Sequence, residues 1–106
     1  MLDTVGSRLE DLCHRAGLSF RGADDLARRT PGHCQAIVRG TIRAAEAVTL
    51  LAYARVLGAS LDWLISGEGN APSDDAVRAA VELARTARNA VEVLHDASCE
   101  GVRGAA

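Results

Sequence analysis

The chain contains no lysine: all 12 of its basic residues are arginine. A GC-rich coding sequence also produces such a set, so arginine usage alone carries no functional argument. Aromatic residues are almost as scarce, with Phe20, Tyr53 and Trp63 one of each kind, which leaves a core of Leu, Val, Ile and Ala. No apolar run approaches the roughly 20 residues needed to span a bilayer. The N-terminal stretch MLDTVGSRLEDL lacks the basic start and apolar block of a secretory signal. The expectation is a soluble cytoplasmic protein without a membrane partner. Cysteine is limited to Cys13, Cys34 and Cys99, an odd number without framework spacing, so reduced thiols are expected. Cys13-His14 and His33-Cys34 are adjacent pairs, and adjacent residues on a helix point about 100° apart, so neither pair can chelate one ion. No metal and no cofactor is expected.

What is present is globular in kind. The chain has 106 residues, 48% of them hydrophobic and 25% charged, enough for one domain with a modest core and an appendage. Its net charge of -2 is unevenly spread. Between Arg28 and Arg55 five arginines (28, 29, 39, 43 and 55) face one acid, Glu46; from Ala59 onward four arginines face eight acids. The first half is therefore suited to an anionic partner.

Helical periodicity runs through the chain, with no strand alternation and no repeat. Val5, Leu9, Leu12 and Ala16 mark a first helix over 7–16, closed by Gly17. Ser19 caps a second over 20–26. Thr30-Pro31 is the strongest local start signal and opens a third over 31–38, ended by Gly40. A fourth spans 45–57, with Val48, Leu50, Leu51, Ala54 and Leu57 as its inward face and Gly58 as its stop. Ser60 caps a fifth over 61–65, seated by Trp63. After a turn-rich linker, Ser73 or Asp74 caps a sixth that extends to about residue 97. The fold class is all-α: a five-helix bundle followed by a long C-terminal helix.

Three stretches resemble the lambda-repressor-like (Cro and phage-repressor type) helix-turn-helix regulators: AGLS at 16–19, IVRG at 37–40, and above all LLAYARVLGASLDWLISGEG at 50–69. The resemblance covers roughly residues 5–69. It implies a DNA-binding domain over 1–69, a linker at 70–73, and a C-terminal dimerisation helix and tail over 74–106. It further implies that the third helix enters the major groove and contacts double-stranded DNA. The residues at the matching positions are Thr30, Gly32, His33, Gln35 and Ala36 near bases, with Arg21, Arg39 and Arg43 near phosphates. The sequence departs from the family in several places. Asp24 and Arg28 stand where the family usually has Ala in mid-helix 2 and Gly at the tight turn, and a non-glycine there carries modest strain if φ is positive. Cys13 and Val38 replace a common ion pair, which leaves an apolar contact rather than an orphaned charge. Cys34 reads as a small core residue and Tyr53 as either a packing or a partner residue.

The sixth helix carries Val77, Ala80, Ala84, Ala87, Val91 and Leu94 at heptad spacing, flanked by Val81, Leu83, Ala90 and Val93. A stripe that wide must be buried, either against its own bundle or against a second copy in a homodimer. The expected function is sequence-specific transcriptional regulation by a homodimer. The alternative is a protein-interaction module of the same fold, an antitoxin or an adaptor to another regulatory protein, with operator recognition weak or lost. Catalysis is not expected, since no nucleophile, phosphate loop or metal spacing is recognisable.

Overall fold

The structure, a computed structural model, describes residues 4–41 and 46–105, with side chains as far as Val91 outside the gap. All regular elements among these residues are α-helices: α1 (Val5–Arg15), α2 (Phe20–Leu26), α3 (His33–Val38), α4 (Ala47–Leu57), α5 (Leu61–Ser66) and α6 (Asp74–Ala105). None is long and apolar enough to cross a membrane.

Local chemistry sets the boundaries. Thr4 and Ser7 form a capping box, each side-chain oxygen accepting the other's backbone N–H at 3.0 Å, and this starts α1 two residues before position 7. At the other end, Gly17 and Leu18 donate to the carbonyls of His14 and Cys13. Ser19 Oγ accepts from Gly22 at 2.9 Å to cap α2, and Ser60 Oγ accepts from Trp63 at 3.1 Å to cap α5. Ser73 rather than Asp74 caps α6, accepting from Ala76 at 3.1 Å. α6 continues past the expected end near 97 to Ala105.

Leu9 and Leu12 of α1, Leu57 of α4 and Leu64 of α5 are completely buried at the centre, and Trp63 closes one side. The inward face of α4 differs from the expected one. Val48 is 65% exposed, while Leu50, Tyr53, Ala54 and Leu57 point inward. Apolar residues occur on several faces of α4, and Tyr53 decides between them because its hydroxyl finds a buried partner.

Two arginines act as internal ties. Arg8, almost fully buried, donates through Nε to Leu64 O at 2.7 Å and through Nη2 to Ile65 O at 2.6 Å, so α1 satisfies the last carbonyls of α5 with a cation suited to that end of the helix. Arg15 donates to Asp74 Oδ1 at 2.7 Å and to the Pro72 carbonyl, which fixes the connection between α5 and α6.

α6 is not separate from the bundle. It packs on α4, α1 and α2, with Val77 and Val81 in the common core and Arg88 paired to Asp25 at 3.2 Å. This corrects the expected seam. Val77 is fully buried within its own chain, Ala80 and Ala84 are half-buried there, Ala87 and Val91 are exposed, and the Leu94 side chain lies outside those described. The boundary at 69 therefore does not divide two independent units.

Close approach explains two glycines. A Cβ on Gly6 would lie 2.7 and 2.8 Å from the carbonyl oxygens of Ile37 and Val38, where α1 crosses the end of α3. A Cβ on Gly58 would lie 2.7 Å from Ala76 O and 3.1 Å from Ala80 Cβ, where α6 crosses the end of α4. Gly58 also has φ 74. Gly17 has φ 65 but open space around it. Gly58→Ala is therefore expected to lower unfolding free energy by about 1–3 kcal/mol, and by clearly more than Gly17→Ala, in urea titrations followed by circular dichroism.

Candidate nucleic-acid interface

Between α2 and α3 the chain turns through Ala27, Arg28 and Arg29. Arg28 has φ 57, the non-glycine residue with positive φ among the described residues, at the position where the sequence raised that expectation. Arg29 N–H closes the turn on Asp24 O at 2.8 Å. The start of α3 is corrected. Thr30 and Pro31 lie in a turn before it, Thr30 O accepting from His33 N–H at 3.1 Å, and Gly32 occupies the cap position with φ 92 and no side chain to offer.

The missing cap comes from another helix. Asp24, 1% exposed in α2, accepts from Gly32 N–H through Oδ2 at 2.9 Å and from Cys34 N–H through Oδ1 at 2.9 Å. The Tyr53 hydroxyl of α4 donates to the same Oδ1 at 2.6 Å. A buried carboxylate must be met by donors, and these three meet it. Burial first, then the hydrogen bond to Asp24 and that carboxylate's charge, push the Tyr53 hydroxyl well above its ordinary value. Sequence reasoning noticed Asp24 only as a departure from a pattern. The available signal was its register: one after Ala23 and three before Ala27, on the inward side of a short helix, just ahead of a turn whose first helical N–H groups need an acceptor.

The nominated contact residues have unlike surroundings. Arg21 is exposed in the first turn of α2, Thr30 and Gly32 are exposed before α3, and Arg39 is exposed as the residue that ends α3. His33 is half-buried and stacks on Tyr53, with ring centroids 6.4 Å apart and planes 13° from parallel. Gln35 is half-buried, and its side-chain oxygen, turned toward its donors, accepts from the Arg39 guanidinium at 2.8 and 3.1 Å. Ala36 is half-buried, and Arg43 lies outside the described residues. The structure thus brings Gln35 and Arg39 together and turns His33 toward the core.

Cys13 is buried in the common core, against which Val38 packs. Cys34 is completely buried, in keeping with its reading as a core residue, and so is Tyr53.

Two outcomes follow from the Asp24 cluster. Asp24→Ala leaves two helix-start N–H groups and the tyrosine hydroxyl without their acceptor, and is expected to cost about 3 kcal/mol or more in urea unfolding, against about 1.5–3 kcal/mol for Tyr53→Phe. The second concerns alkaline pH. A tyrosine whose folded value is raised above the unfolded value near 10 contributes stability that is complete below pH 10 and declines as pH rises beyond it. Stability measured above pH 10 is expected to fall, and to fall less in Tyr53→Phe; as Tyr53 is the one tyrosine, its phenolate absorbance reports the titration directly.

Set against protein-family models, curated proteins and solved structures, the chain matches none.

Proposed function

We propose that the chain is a sequence-specific DNA-binding transcriptional regulator of the lambda-repressor-like helix-turn-helix type, acting in the cytoplasm as a homodimer with α3 in the major groove. The observation that carries this reading is the α2–turn–α3 unit. Two short helices are joined by a left-handed turn and braced by a buried carboxylate, with exposed arginines at positions 21, 28 and 39 around them. A short helix held by internal ties, with Gln35 and Ala36 half-buried on it and cations on either side, suits docking to a phosphate backbone, and Gln35 with Ala36 would face base edges. Gln35 and Arg39 act as one unit on this view: the arginine both neutralises a phosphate and orients the amide.

The dimer rests on the outer face of α6. Leu83 (72% exposed), Ala87 and Val91 (41% exposed) recur every four residues without cover from their own chain. They form the stripe on which a second α6 would pack, giving the two-fold axis that paired half-sites about 34 Å apart require.

A second reading is favoured by the α3 side chains themselves. His33 is engaged with Tyr53 and Gln35 with Arg39, which leaves few groups free to read bases. On this reading the same fold binds another regulatory protein.

Binding to genomic DNA fragments at several salt concentrations separates the two. The regulator is expected to show a steep negative slope of log K against log salt, and Arg39→Ala to weaken binding and reduce the slope by about 1. Negligible binding at low salt would overturn it. Light scattering checks the dimer: the parent protein is expected at twice the chain mass and Val91→Asp at the chain mass, and a monomeric parent refutes the α6 pairing.

A further inference from the structure

Ser7, Glu10, Asp11 and His14 follow one another at helical spacing and so share one face of α1. The chain then turns back through Gly17, with φ 65, and brings Leu18 and Phe20, both half-buried, to the same side. Together these residues line an open cleft of about 730 Å3 between α1 and the start of α2. That volume lies in the range of sites for small organic ligands.

The lining has one sign of charge. Apart from His14, its charged side chains are Glu10 and Asp11, and among the described residues no arginine reaches it, although the chain has 12. Glu10 is exposed and makes no ion pair among the described residues. Asp11 meets Arg15 at 3.6 Å, a long contact, because the same guanidinium is held by Asp74 at 2.7 Å and by the Pro72 carbonyl. The nearest cation is thus committed to the connection into α6, and the two carboxylates stand beside an apolar wall without a close cation of their own.

We propose that this cleft binds a small organic amine, a single ammonium carried on an aromatic body. The ammonium donates to Glu10 and Asp11, and the ring lies against Leu18 and Phe20. Carboxylates on a bare helix face hold a cation weakly, since both partners stay hydrated. Here the apolar wall takes water from one side of the ammonium, and Phe20 offers a ring face to the cation or to a stacked ring. An anion of the same shape meets two carboxylates, and a polyamine satisfies the acids but leaves the wall wet. The cleft is built by α1 and the start of α2, so the proposal stands whatever α3 contacts.

The test is a titration of the full chain, followed by amide chemical shifts, with three probes: tryptamine, indole-3-acetate and spermidine. Tryptamine is expected to bind saturably with Kd of about 1 mM or tighter, with shifts centred on Ser7, His14, Leu18 and Phe20. Neither indole-3-acetate nor spermidine is expected to saturate over the same concentrations. Glu10→Gln combined with Asp11→Asn should weaken tryptamine about tenfold. Tryptamine that does not saturate, or that shifts residues centred elsewhere, overturns the proposal. So does equal binding of indole-3-acetate, which would mean a greasy groove without charge selection, or of spermidine, which would mean an acidic surface without a shaped site. These outcomes are read on the parent protein and stand even if the double variant fails to fold.

Discussion

A carboxylate shut away from solvent has to be met by donors or give up its charge, and Asp24 is met by three, drawn from two other segments of the chain. Two are the backbone N–H groups of Gly32 and Cys34, which at the start of a helix have no intrahelical partner. The third is the hydroxyl of Tyr53. One side chain of α2 thereby sets where α3 begins, how α3 lies against α2, and which face α4 turns inward. A serine or threonine just before α3 would have capped that helix locally, but it would not have tied it to anything else.

The rest of the bundle applies the same device with the charge reversed. Arg8 carries a cation to the closing carbonyls of α5, and Arg15 does so for the connection that leads into α6. The end of α5 and the connection into α6 are both tied down by long side chains from α1. Some of the chain's arginines are thus structural cations rather than surface charge. With so few aromatics to fill space, these reaches from one helix to another supply specificity that a core of leucine, valine and alanine lacks.

Helix existence was legible because periodicity and caps are local properties. Ser19 and Ser60 are caps in sequence and structure alike, and Gly17, Gly58 and Gly67 each follow a helix with positive φ. Three features were not legible, each because a distant residue decided it. Thr30-Pro31 carries the sequence signature of a helix start, but the acceptor on Asp24 draws that start to His33. Val48 has the spacing of an inward residue, but Tyr53 and its hydrogen bond turn α4 away from it. Val77 opens a heptad pattern, and nothing in a heptad says whether the groove that receives it lies in the same chain or another. Of the candidate site, Arg28 and Arg39 were legible from charge distribution and Arg21 from the resemblance alone, whereas the engagement of His33 with Tyr53 and of Gln35 with Arg39 depends on side-chain directions that spacing does not encode.

Gly6 has a consequence for how movement passes through the molecule. Because hydrogen stands where a side chain would be, the backbone of α1 rests directly against the terminal carbonyls of α3. Side chains at a helix crossing act as compliant spacers, since a rotamer change absorbs a small displacement. Here no such spacer exists, so a displacement of α1 at this crossing meets the terminal carbonyls of α3 directly.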